Sequence, residues 1–180
     1  INSFKEKTKY YSIPDYDIIC GIEEDVIPLG LYKRVWNIFN KHKFIDITPL
    51  IRKIRAIKDK EEINLIKKSG EINTEIHKRA KEIIKDGKGE DELFFELEYL
   101  SRKLGDDRST RSRDWNSFPP NQIGSGIQGS LPNRAFIATG GKGPNKVVPY
   151  GFSKKKMHKG ESVFIDWVSS YEGYATDQTR

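Results

Sequence analysis

The stretch Val163-Phe-Ile-Asp-Trp-Val-Ser-Ser-Tyr-Glu-Gly-Tyr-Ala-Thr-Asp-Gln-Thr-Arg180 decides the fold, because it has the pattern of a β-hairpin. Asp166 and Asp177 each lie in a run of apolar and aromatic residues that is typical of a buried strand. The intervening Ser-Ser-Tyr-Glu-Gly is a turn signal. With the turn centred between Tyr171 and Glu172, the two aspartates are predicted to form a directly opposed cross-strand pair.

This pairing raises an electrostatic problem that a metal ion would solve. Directly opposed side chains have Cβ atoms roughly 4.5–5.5 Å apart, and like charges in that arrangement destabilise a sheet. A divalent cation between Asp166 and Asp177 would remove the repulsion, so the hairpin predicts a metal site. The alternative is that each aspartate is a turn-capping or edge residue. A slip of one residue in register would also send the two carboxylates to opposite faces.

The composition is that of a soluble globular protein. The chain has 180 residues, of which 36% are hydrophobic and 32% are charged. No apolar run approaches the ~20 residues that span a bilayer, so we expect no membrane partner. The chain begins with Ile1, and nothing near it resembles a signal peptide. The single cysteine, Cys20, excludes an internal disulfide and favours the reducing cytoplasm.

The net charge of +6 could indicate an acidic partner. Most lysines are interspersed with glutamates, however, as in Lys58-Asp-Lys-Glu-Glu62. Only Lys154-Lys-Lys-Met-His-Lys159 is a concentrated basic run, and its position beside Gly160 favours a solvated turn. Nucleic-acid binding is therefore a minor alternative.

The remaining sequence predicts a short α/β segment followed by two long helices. We expect, in order, a helix over about 30–41, a short strand over 44–49, a connector over 50–58, a long helix after Asp59 and a second helix from Glu90 to Leu104. Asp59 and Glu62 have the spacing of a capping box, which marks the start of the first long helix.

Several motifs, in their order, carry a family resemblance. They are Ile57-Lys-Asp-Lys-Glu-Glu-Ile63, Gly124-Ser-Gly126, Gly160-Glu-Ser-Val-Phe-Ile-Asp166 and Gly173-Tyr-Ala-Thr-Asp-Gln-Thr-Arg180. In this order the chain resembles the creatinase/prolidase/methionine aminopeptidase family, most specifically in an aspartate followed eleven residues later by Asp-x-Thr-Arg. The resemblance implies an α+β fold: the first half of a pita-bread domain, preceded by the end of an N-terminal α/β creatinase-like domain.

The same resemblance implies a domain boundary near residue 50. Residues 1–50 would be the C-terminal remnant of the N-terminal creatinase-like domain, and residues 51–180 the first half of the pita-bread metallopeptidase domain, truncated. The proline-directed members carry such an N-terminal domain, whereas methionine aminopeptidases generally do not. The resemblance therefore favours an Xaa-Pro peptidase.

By resemblance, Asp166 would bind one metal through both oxygens and Asp177 would bridge two. The implied cofactors are two divalent ions, Mn²⁺ or Co²⁺ in the first place, with Fe²⁺ or Zn²⁺ as alternatives. The family's other three ligands, a histidine and two glutamates, come later in the sequence. We therefore expect activity only in the parent protein, meaning a longer polypeptide of which these residues would be a part. We assign no catalytic residue here.

Two positions depart from the family pattern. In the family, Ser-Gly is usually followed by six residues and then by a histidine that helps hold substrate, but this chain has Asn133 at that place. Asn133 is a weak candidate for substrate binding, since it can donate a hydrogen bond but cannot carry a proton near neutral pH. Alternatively, it is simply a turn residue. The common Asp-x-Gly also reads Asp166-Trp-Val168, which narrows the space beside the metals.

Three functions follow from these observations. The first is a metal-dependent Xaa-Pro peptidase-like hydrolase that attacks the peptide bond preceding proline and takes proline peptides as substrates. The second is a non-catalytic pita-bread binding module, which Asn133 and the Lys154–Lys159 run would suit. The third is a family member that acts on a non-peptide substrate. We expect the parent protein to be a cytoplasmic homodimer.

Overall fold

The computed structural model describes residues 18–110, 121–131 and 140–180, which fall into two compact units. The division along the chain lies between Lys58 and Asp59. Both units combine helices with strands. Within the described ranges, no helix is both long enough and apolar enough to cross a membrane.

The first unit is a small β-α-β arrangement followed by a helix. Its elements are β1 (Ile19–Ile22), α1 (Leu29–Ile38), β2 (Lys43–Asp46) and α2 (Thr48–Ala56). The two strands are parallel, with Ile19 opposite Lys43, so a crossover connection is required and α1 supplies it. Trp36 of α1 packs against Phe44 of β2, with ring centroids 5.5 Å apart.

Helix α2 corrects one expectation. We predicted a connector over residues 50–58, but most of that segment is helical. Pro49 lies in the first turn, where its fixed φ suits a helix and its missing N–H costs no hydrogen bond. The side chains of Thr48 and Arg52 both bond Asp25, at 3.1 and 2.5 Å, which ties the start of α2 to the loop after β1.

The second unit packs two helices on one face of an antiparallel sheet. Its elements are α3 (Lys60–Ile83), α4 (Glu90–Lys103), β3 (Gln122–Ser125), a 3₁₀ turn (Gly126–Ser130), β4 (Val163–Tyr171) and β5 (Tyr174–Thr179). The strand order is β3-β4-β5. The buried core joins both helices to the sheet through Ile72, Ile76, Ala80, Leu93, Leu97, Ile123, Met157, Ile165 and Trp167.

Helix α3 begins at the predicted capping box. The Asp59 carboxylate accepts from the Glu62 N–H at 2.9 Å, and the Glu62 carboxylate accepts from the Asp59 N–H at 2.8 Å. Further along, two polar residues bond the sheet directly. Ser69 donates to the Ser169 carbonyl at 2.8 Å and Asn73 donates to the Thr176 carbonyl at 3.0 Å. These bonds fix α3 against the hairpin of β4 and β5.

A buried carboxylate fixes α4 against the sheet in a similar way. Glu90, the first residue of α4, is 1% exposed. One of its oxygens accepts from the N–H and Oγ of Ser125, at 2.8 and 2.7 Å. The other accepts from the N–H and Oγ of Ser153, at 2.9 and 2.7 Å. Glu90 therefore joins the start of a helix, the end of β3 and the loop before β4.

Replacing this carboxylate by an amide should destabilise the second unit. In Glu90→Gln, the new NH₂ group would face the N–H and hydroxyl donors of one serine, so at least one buried donor would lose its acceptor. We expect a loss of about 2–3 kcal/mol in the free energy of unfolding, measured by chemical denaturation. Glu82→Gln is the matched control, because the Glu82 side chain is exposed and its ion pair with Arg79 lies at the surface. Equal stability of the two variants would contradict this role of Glu90.

Candidate functional site

The turn between β4 and β5 sets the register of the hairpin. Glu172 and Gly173 have φ values of 47° and 83°, so both occupy the left-handed region, as a two-residue type I′ turn requires. Tyr171 therefore pairs with Tyr174, Val168 with Asp177, and Asp166 with Thr179.

This register corrects the predicted pairing of the aspartates. We expected Asp166 directly opposite Asp177, with the turn centred between Tyr171 and Glu172. The turn is instead centred between Glu172 and Gly173, because the two positive φ values must fall on the two loop residues and their twist matches that of the strands. The aspartates are thus diagonal neighbours, a relation for which roughly 7–8 Å between residues is typical.

The aspartates nevertheless share one face of the sheet. Side chains alternate between faces along a strand, so Asp166 and Val168 lie on the same side, and Asp177 joins them as the partner of Val168. Ile165 and Trp167 point the other way, into the core beneath the helices. We call the face that carries Asp166 and Asp177 the site face.

The surroundings of Asp177 make ionisation of its carboxyl unfavourable. Partial desolvation of the carboxyl, the negative charge of Asp166 and a hydrogen bond to that residue raise the pKa of Asp177 above its ordinary value. Proximity of like charges makes ionisation of the second group unfavourable, and a cation bound between them would reverse the effect. The donors here are oxygen atoms, which suit hard divalent ions. The pair therefore fits a metal on chemical grounds.

Asp166 lies in the central strand and has a polar neighbour on each side. On β5, the Thr179 hydroxyl donates to Asp166 Oδ1 at 2.7 Å. Ile165 and Arg180 exchange two backbone hydrogen bonds, so the adjacent pair of Asp166 and Thr179 is of the non-hydrogen-bonded type, in which side chains lie closest. On β3, the register partner of Asp166 is Gln122.

Sequence reasoning missed both neighbours of Asp166. Thr179 could have been found, because it lies two residues after Asp177 and therefore shares its face. Gln122 had no such signal, since its pairing with Asp166 depends on a strand 44 positions away in the sequence.

The side chains of Val168 and Trp167 lie on opposite faces of the sheet. Val168 occupies the position where the family usually has glycine, and it is 7% exposed on the site face. It therefore takes up space beside Asp177, its register partner. Trp167 is fully buried on the helix side, where its indole packs against Phe94 with centroids 5.5 Å apart. Its bulk does not reach the site face.

The other residues singled out in the sequence are not brought to the aspartates by the described structure. Asn133 lies outside the described residues. In the Lys154–Lys159 run, Lys155 pairs with Glu161 and Lys156 bonds Glu92 at 2.7 Å. Across the ranges 18–110, 121–131 and 140–180, no group of three or more His, Cys, Asp or Glu side chains could hold a metal ion.

Comparison with known proteins places this chain in a family. The family model described as metallopeptidase family M24 matches residues 64–180. An Xaa-Pro dipeptidase of Pyrococcus horikoshii is 27% identical over 180 residues, which is all of this chain and 44% of that protein. An Xaa-Pro aminopeptidase of Escherichia coli is 29% identical over 136 residues, covering 76% of this chain and 25% of that protein.

The same similarity appears in solved structures. The crystal structure of an X-Pro aminopeptidase from Thermotoga maritima superposes with a TM-score of 0.73 at 26% identity, over 99% of this chain and 42% of that one. The fold class expected from the resemblance is confirmed: the structural neighbours are pita-bread peptidases, and this chain, a mixture of helices and strands, covers part of their length. The chain spans less than half the length of these relatives.

The turn itself offers a test of the register. Glu172 has a left-handed backbone, which asparagine adopts at lower cost than glutamate. We therefore expect Glu172→Asn to stabilise the chain by roughly 0.5 kcal/mol in chemical denaturation. Glu172→Gln is the control, because it removes the same charge without gaining that preference, and it should be neutral. A destabilised asparagine variant would contradict the assigned turn.

The repulsion between the aspartates predicts a second outcome. In metal-free protein at neutral pH, Asp177→Asn should raise stability by a few tenths of a kcal/mol, the scale of a like-charge cross-strand pair. The raised pKa of Asp177 means that its ionisation disfavours the folded state. The gain should therefore fade as the pH falls through that pKa, where the wild-type carboxyl is protonated. Thermal unfolding with chelator present, at neutral and acid pH, measures it.

Asp107→Asn provides the opposite control, because Asp107, in the loop after α4, bonds Ser170 and Gly173 of the same hairpin. Burial alone would raise the pKa of Asp107, but hydrogen bonds from Ser109 and Ser170 outweigh it and hold that pKa well below its usual range. The charge therefore stabilises the fold, and its removal should lower stability at neutral pH. If Asp177→Asn also lowered stability, the like-charge account of the site face would be wrong.

Proposed function

The chain belongs to metallopeptidase family M24, and from this premise we propose that its parent protein is a metal-dependent Xaa-Pro peptidase that hydrolyses the peptide bond preceding proline. The observation that carries the proposal is the placement of Asp166 and Asp177 on one sheet face within the residues that the family model matches. The relatives from Pyrococcus horikoshii and Escherichia coli, an Xaa-Pro dipeptidase and an Xaa-Pro aminopeptidase, support the substrate class.

We assign the metal-binding role to Asp166 and Asp177. Their carboxylates would hold two divalent ions, Mn²⁺ or Co²⁺ in preference to Fe²⁺ or Zn²⁺, together with a histidine and two glutamates of the parent protein. When bound, two such ions would lower the pKa of a water molecule and polarise the peptide carbonyl. Thr179 would keep the Asp166 carboxylate in a fixed orientation through its hydrogen bond.

The domain organisation is part of the proposal. We assign residues 1–50 to the end of an N-terminal creatinase-like domain and residues 51–180 to the first half of the catalytic domain. The family resemblance implies that such an N-terminal domain is present in the proline-directed members and generally absent from methionine aminopeptidases. Asn133, where those members usually have histidine, would contact the substrate without transferring a proton.

The proposal also includes a cytoplasmic location and a homodimeric assembly. A chain with the single cysteine Cys20 suits the reducing cytoplasm. We propose a homodimer for the parent protein, which sedimentation would test directly.

Metal uptake and proline-peptide hydrolysis test the function together. The parent protein should bind about two Mn²⁺ or Co²⁺ ions per chain in calorimetric titration and then cleave an Xaa-Pro dipeptide. Loss of a hydrogen bond that orients a metal ligand typically lowers metal affinity or activity 10–100-fold. Loss of the ligand itself in Asp166→Asn should therefore lower kcat/KM by more than about a hundredfold. Asp86→Asn is the control, because the Asp86 carboxylate is exposed and contacts the Lys159 N–H and the His158 ring away from the site face.

The outcomes separate the three functions. Failure to take up metal would remove the hydrolase proposal and favour a binding module. Metal uptake without turnover of any proline dipeptide would favour a non-peptide substrate. The 180-residue chain alone should show no peptidase activity, since its described residues provide two of the five expected ligands.

A further inference from the structure

Gln122 is a buried polar residue whose position the fold does not explain. Its side chain is fully buried, and neither its Oε1 nor its Nε2 has a hydrogen-bond partner in the described structure. Burying an amide without a partner costs about 1–3 kcal/mol in proteins. An apolar side chain of similar size would avoid this cost.

The residues close to Gln122 in the sequence have clear structural roles. Asn121 accepts the Val168 N–H at 2.8 Å and so extends the ladder beyond the strand. Ile123 is fully buried in the core under the helices. Ser125 donates twice to Glu90. Gln122 alone among these four residues is fully buried on the site face with an unbonded side chain, so its amide is available for a contact there.

The contact that the register offers is Asp166. The two residues are direct partners in the antiparallel pairing of β3 with β4, and direct partners point to the same face. A separation of roughly 4.5–5.5 Å between their Cβ atoms lies within reach of a side chain as long as glutamine. Thr179 occupies the equivalent position on the other side and already donates to Oδ1.

We propose that Gln122 is a positioning residue for Asp166. Its Nε2 donates a hydrogen bond to the carboxylate when a divalent ion is bound, so that Thr179 and Gln122 hold the ligand from opposite sides. Outer hydrogen bonds of this kind orient metal ligands and strengthen binding. This inference rests on the proposed metal-binding function of the same site.

The test compares two glutamines on opposite faces of one sheet. Gln122→Met keeps the length of the side chain and removes its polar atoms. Gln178→Met makes the same change on β5, where Gln178 pairs with Trp167 and so lies on the helix side. The parent protein, stripped of metal, would be titrated with Mn²⁺ by calorimetry, and its metal-free stability would be measured by thermal unfolding.

We expect Gln122→Met to weaken Mn²⁺ binding 10–100-fold, with metal-free stability unchanged or higher, because a buried unbonded amide is removed. Gln178→Met should leave the affinity unchanged. Thr179→Val, which removes the donor on the other side, should weaken binding in the same way as Gln122→Met.

The remaining outcomes would overturn the inference in distinguishable ways. Wild-type affinity in Gln122→Met would refute the positioning role and leave the metal site intact. Loss of metal-free stability together with affinity would show that Gln122 serves the fold. Wild-type protein that takes up no Mn²⁺ would remove the proposed function and this inference with it.

Discussion

The Glu90 carboxylate is the constraint on which the second unit depends. It accepts four hydrogen bonds, from the backbone and side chains of Ser125 and Ser153, at a helix start where the dipole favours negative charge. Ser125 is the last residue of β3, a strand of only four residues. Anchoring this end holds β3 beside β4 and thereby places Gln122 opposite Asp166. The geometry of the site face therefore depends on a carboxylate that lies outside it.

Local chemistry made much of the fold predictable. The capping box at Asp59 marked the start of α3, and the alternation of strand side chains placed both aspartates on one face. The error in register arose from turn chemistry. Gly173 indicated one residue with a positive φ, but nothing in the sequence indicated that Glu172 would have the second positive φ of the turn. A shift of the turn by one position kept the shared face and converted direct opposition into a diagonal relation.

Long-range polar contacts could not be predicted in the same way. Ser69 and Asn73 appear on the sequence as polar interruptions of a helical apolar stripe, yet they bond residues about a hundred positions later. The roles of Gln122 and Glu90 likewise depend on burial, which arises only when distant segments meet. Propensity and periodicity describe neighbours along the chain, whereas these contacts depend on which elements pack together. The candidate site was therefore predicted as a pair of aspartates without their supporting residues.

Two unfavourable arrangements of polar groups lie on the site face, and they support a functional role for it. On the helix side, the hydroxyl of Ser169 bonds Asn73, and the carbonyl of Thr176 accepts from the same side chain. On the site face, partial desolvation and the negative charge of Asp166 raise the pKa of Asp177, and the amide of Gln122 is buried without a hydrogen bond. Optimisation for stability alone would favour apolar residues at these positions. A bound cation would relieve the repulsion between Asp166 and Asp177, and it would give the Gln122 amide an ordered carboxylate to bond. Metal binding would therefore reverse both of the interactions that destabilise the metal-free site face.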